Sequence, residues 1–118
     1  MDKVISAVVV EAGRTQVIGR TDVARGSAAE LLGKDRSGDL IYLGDGMAMY
    51  VDDMGELDRL PPNTIATKLF VAVRGRLTTI HGTVVIIGYD KKSRMEASAP
   101  KWVERVLQNA RYMELVFS

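Results

Sequence analysis

Residues 82–89 read Gly-Thr-Val-Val-Ile-Ile-Gly-Tyr, four β-branched apolar residues in a row between glycines. A run this apolar, and too short for an isolated helix, predicts a strand buried on both faces. The rest of the chain is read as packing around it.

At 118 residues, with 47% hydrophobic and 26% charged side chains and no run of like charge, the chain has ordinary globular composition and the size of a single domain spanning 1–118. It has no cysteine, so disulfides, a thiolate nucleophile and Cys-ligated zinc are excluded. A reducing cytoplasm fits that composition. The opening residues carry Asp2 and Lys3 before a short apolar run without a small-residue cleavage pattern, so a strand is expected there and not a signal peptide. Nothing approaches the length of apolar sequence that spans a membrane. Net charge is +1, too small to argue for nucleic acid or membrane. Its distribution is uneven: residues 1–60 hold seven basic and eleven acidic side chains, and residues 61–118 hold nine and four. In halves that interleave in space this reads first as solvated surface, and second as a dipole that steers a partner.

Working outward, residues 3–11 form a predicted strand, 12–14 a turn and 15–19 a second short strand, together a hairpin. Ser27-Ala-Ala-Glu30 has the form of a capping box, and a short helix over 28–33 is expected. Strands over 39–44 and 47–52 are joined by Asp45-Gly46, a pair suited to a tight hairpin turn; Met47, Met49 and Val51 should face one way and Ala48 and Tyr50 the other. Pro61-Pro62 must leave the sheet. Asn63 is placed to cap a helix over Thr64–Arg74, where Ile65, Ala66, Leu69, Phe70 and Val73 make one stripe and Gly75 the stop; a strand over 69–73 is the competing reading. Residues 76–80 read as extended chain and 90–97 as a basic loop. Ser98 or Ala99 then caps a last helix with Pro100 in its first turn, whose stripe begins at Trp102 and continues through Val103, Val106, Leu107 and Ala110. Residues 113–117 suggest an edge strand. The expected fold is α+β: a single domain with a mainly antiparallel sheet of about five strands and two to three helices packed on it.

Chemistry-bearing patterns are sparse. His81 is the one histidine, beside the central strand, and reads as a packing or hydrogen-bonding residue. Asp52, Asp53, Glu56 and Asp58 are crowded, but Gly55 falls in the wrong place for a calcium loop, and solvated turns are expected. Neither GxGxxG nor P-loop spacing occurs. No catalytic residue, cofactor or metal site is expected. Arg74, Arg76, Lys91, Lys92 and Arg94 are the candidate interaction surface, without an interleaved aromatic platform for bases.

One pattern has a wider echo. A strand, an acidic turn ending at Gly55, then Leu57, Leu60, Pro61, Pro62 and Asn63, followed later by Gly82-Thr83-Val84-Val85-Ile86-Ile87-Gly88, resembles a family of small proteins of unknown function from bacteriophages, plasmids and related mobile elements. The Val8-Val9-Val10-Glu11-Ala12-Gly13 turn and the segment 28–33 are similar too, and the likeness covers residues 4–89. It implies a small soluble accessory protein acting in the cytoplasm of a bacterial host cell. The expected function is therefore non-enzymatic binding of a host or phage protein. The alternatives are nucleic-acid binding through the basic C-terminal half, and a small-ligand or nucleotide-binding module. A homo-oligomer is compatible with all three, and no membrane partner is expected.

Overall fold

The computed structural model describes residues 3–109. In chain order these form β1 (Val4–Val10), β2 (Ile18–Ala24), a 3-10 helix (Ala28–Leu32), β3 (Gly38–Gly44), β4 (Met47–Asp52), α1 (Thr64–Arg74), β5 (Val84–Asp90), β6 (Met95–Ala97) and α2 (Val103–Leu107). The strands make one six-stranded sheet in the order β2-β1-β5-β4-β3, with β6 added to β5, and every pairing is antiparallel. The α+β expectation holds, in a form dominated by the sheet.

β5 is the centre, as its sequence predicts, because only an interior strand buries both alternating sets of side chains. Val84 and Ile86 enter a core with Met47, Met49 and Val51 of β4, Leu69 and Phe70 of α1, and Val103, Val106 and Leu107 of α2. Val85 and Ile87 point the other way, into a smaller core with Ala48, Ile5, Ala7, Ala28 and Leu32 under the 3-10 helix. The predicted alternation along β4 is observed, with Tyr50 on the Ala48 side.

α1 has the expected bounds and caps. Asn63 Oδ1 accepts from Ala66 N at 3.0 Å, and Gly75 closes the helix in the left-handed region at φ 70°. Burying Leu69 and Phe70 contributes about 2 kcal/mol each.

The departures have physical reasons. The second arm of the first hairpin is Ile18–Ala24, later than the predicted 15–19, because Gln16 is drawn out of the ladder by hydrogen bonds to Glu11 O, Asn63 Oδ1 and Ile65 N. Ser27 makes no side-chain cap, and its carbonyl instead accepts from Glu30 N, the i to i+3 bond of a 3-10 turn. Residues 76–80 form no strand. The predicted loop 90–97 contains β6, a sixth strand, which pairs with the last residues of β5 on the side that β1 occupies further back. That wedge needs Gly88, where a Cβ would stand 2.5 Å from Ser98 O. α2 is shorter than predicted and is preceded by Trp102, which is 41% exposed and so does not begin the buried stripe. Ala110 and the strand expected over 113–117 lie outside the described residues. No helix among the described residues is long and apolar enough to cross a membrane.

Candidate functional site

Most of the polar groups that reach the interior are engaged in holding the fold. Asn63 is 0% exposed and uses its whole amide: Nδ2 donates to Val10 O and Gly82 O, both at 3.0 Å, and Oδ1 accepts from Ala66 N and Gln16 Nε2. Asp52, whose side chain is 2% exposed, accepts a two-pronged bond from Arg36 at 2.6 and 2.9 Å, and Arg36 also reaches Asp58 at 2.8 Å. That guanidinium holds the Asp52 carboxyl below the usual carboxylate range. Asp53, Glu56 and Asp58 are exposed, as a solvated turn requires, and Asp52 alone of the four is drawn out of solvent beneath it by its ion pair; Asp53 accepts from Ser37 Oγ. Among the described residues, no group of three or more His, Asp or Glu side chains could hold a metal ion. His81 Nδ1 lies 3.0 Å from Leu60 O, and His81 forms an isolated bridge with Pro62, in keeping with a hydrogen-bonding role.

Glu96 of β6 is a buried carboxylate that the sequence, reading a loop there, does not reveal. It is 7% exposed, accepting from Tyr50 Oη at 2.6 Å and Gly26 N at 2.7 Å. Burial first, and then the Glu96 hydrogen bond, push the Tyr50 phenol well above the usual tyrosine range.

Of the expected interaction residues, the structure brings Arg74, Lys91 and Lys92 to one place. Arg74, the last residue of α1, donates to Tyr42 O at 3.0 Å, and Lys91 Nζ stands 5.1 Å from the centre of the Tyr42 ring. Lys91 and Lys92 lie on the turn after β5, which Asp90 organises by accepting from Lys92 N at 2.9 Å and Ser93 N at 3.4 Å. Those backbone donors lower the Asp90 pKa. Between this turn and the β3–β4 hairpin opens a cleft of about 560 Å³, lined by Tyr42, Gly46, Tyr89, Asp90, Lys91, Lys92 and Ala97. Arg94 sits on the same turn without lining the cleft, and Arg76 is elsewhere, 5.8 Å from the Phe70 ring centre.

The aromatic component missing from the linear sequence is therefore supplied by topology. Tyr89 N donates to Gly46 O at 2.7 Å, which sets the end of β5 beside the hairpin that carries Tyr42. The Asp45-Gly46 signal places the hairpin turn, but its neighbour β5 follows from strand order, which no local pattern records. Two smaller clefts, of about 300 and 160 Å³, have their arginines engaged internally, Arg36 with Asp52 and Asp58, and Arg20 with Glu104. No family model matches this chain, and neither a curated protein nor a solved structure matches it.

Proposed function

We propose that this protein is a non-enzymatic binding domain that engages a protein partner through the cleft between Tyr42 and Tyr89. The observation that carries this reading is the placement of two exposed lysines, Lys91 and Lys92, at the rim of an aromatic-floored cleft, while the arginines at two smaller clefts, Arg20 and Arg36, are engaged inside the fold. Aromatic rings give contact area at low entropic cost, and rim charges set approach and orientation. The setting as an accessory protein of a mobile element in the cytoplasm of a bacterial host rests on the resemblance carried by residues 51–63 and 82–88.

A photoreactive phenylalanine analogue at Ala97, an exposed cleft residue, tests this in bacterial cells. A discrete protein adduct is expected, lost when Lys91→Glu and Lys92→Glu are combined. The same analogue at Leu57, in the turn that follows the far end of β4, should not give it. A nucleic-acid adduct, or an adduct indifferent to the lysine changes, would overturn the reading.

A further inference from the structure

We propose that the segment received by the Tyr42–Tyr89 cleft is an acidic peptide, with Asp or Glu carboxylates meeting Lys91 and Lys92 and an apolar side chain lying on Tyr89 and Ala97. This rests on the binding reading above and names the chemistry of its partner. Lys91 lies over the Tyr42 ring, 5.1 Å from its centre. That contact fixes the lysine stem while leaving ammonium protons for an incoming anion, and it occupies one face of the Tyr42 ring against a stacking base.

The basic groups suit that occupant. A planar, forked guanidinium recognises carboxylate or phosphate bidentately, whereas lysine is a point charge that a single carboxylate satisfies. Here the basic residues that line the cleft are Lys91 and Lys92; Arg74 donates one Nη2 proton to Tyr42 O, Arg76 lies over Phe70, and Arg94 is on the turn outside the lining. The one carboxylate among the cleft residues, Asp90, accepts from the backbone of its own turn and presents the two lysines. The remaining lining, Tyr42, Tyr89, Gly46 and Ala97, offers an apolar floor for a side chain flanked by acids.

An amide-resolved NMR titration with the synthetic peptide acetyl-Glu-Leu-Glu-Leu-Glu-amide tests the assignment, with the glutamine-for-glutamate peptide and a short oligothymidylate as comparisons. The glutamate peptide should shift Gly46, Tyr89, Lys92 and Ala97 saturably, and should weaken as salt is raised. The glutamine peptide, and the Lys91→Glu/Lys92→Glu variant with the glutamate peptide, should each bind at least about tenfold more weakly. Lys68→Glu, an exposed change on α1, should bind as the parent does. Equal affinity for the glutamine peptide, the same shifts at lower concentration of oligothymidylate, or no shift at the cleft would each overturn the acidic-peptide assignment. A protein adduct from Ala97 with no response to the glutamate peptide would overturn this assignment and leave the binding reading standing; loss of both would overturn the two together.

Discussion

Arg20 of β2 and Glu104 of α2 meet through two parallel hydrogen bonds, Nε to Oε2 at 2.8 Å and Nη2 to Oε1 at 2.6 Å. The other three guanidinium protons go to Ser6 Oγ, Ala99 O and Pro100 O, each at 2.7 Å, so that one side chain ties β1, β2 and the start of α2 together. Replacing Arg20 by Ala should destabilise by roughly 2–3 kcal/mol, and Lys should recover less than half, since an ammonium cannot reproduce the fork. Urea unfolding of the two variants measures this; a lysine variant as stable as the parent would show that charge, and not geometry, holds α2.

Asn63 should prove the most sensitive polar position. Asn63→Leu leaves Val10 O, Gly82 O and Ala66 N without partners in the interior, at an expected cost of about 3 kcal/mol or more. Gln16→Ala, which removes one arm of the same network from a partly exposed site, should cost about 1 kcal/mol. The ratio of the two losses in denaturant midpoint, at unchanged slope, is the readout.

Acid should weaken the fold through Asp52 and Glu104, whose folded-state pKa values are lowered chiefly by hydrogen bonds from Arg36 and Arg20. Between the lowered value and the ordinary one, at about 4, the unfolded chain binds more protons than the folded one, so stability rises with pH in that window. The contribution is complete above the ordinary value and lost as pH falls through the folded one. Asp52→Asn should flatten the acid limb of the thermal midpoint against pH. Tyr50 acts oppositely: its pKa is raised, so its contribution is complete below the ordinary tyrosine value, about 10, and fades as pH climbs beyond it. In an ultraviolet titration Tyr50 should ionise above the ordinary tyrosine range, together with unfolding, and Tyr50→Phe should remove that step.

Trp102 and Val103 are adjacent and should respond differently. Trp102 is 41% exposed and Val103 only 1%, so Trp102→Ala should cost about 1 kcal/mol or less, far below a buried tryptophan, and Val103→Ala about 2–3 kcal/mol. Comparing their thermal midpoints distinguishes the two; a larger loss at Trp102 would place its ring in the core.

The chain's local patterns determined its main elements. The Val84-Val85-Ile86-Ile87 run could only be a doubly buried strand, Asp45-Gly46 set a hairpin turn, and Asn63 and Gly75 marked the ends of α1, because strand and helix periods and caps act over a few neighbouring residues. Only the tertiary structure decided the rest. Arg20 finds Glu104 across 84 positions, Arg36 draws Asp52 out of solvent across 16, and Tyr50 meets Glu96 across 46. Residues 95–97 join the sheet as the second arm of a short hairpin closed by Arg94 N donating to Asp90 O, on an edge of β5 that β1, paired over Val84–Ile86, leaves open. Arg74, Lys91 and Lys92 were visible as charges, but their union with Tyr42 and Tyr89 followed from the order of strands in the sheet. Long-range pairing depends on which surfaces the fold sets face to face, and short-range patterns carry no record of that.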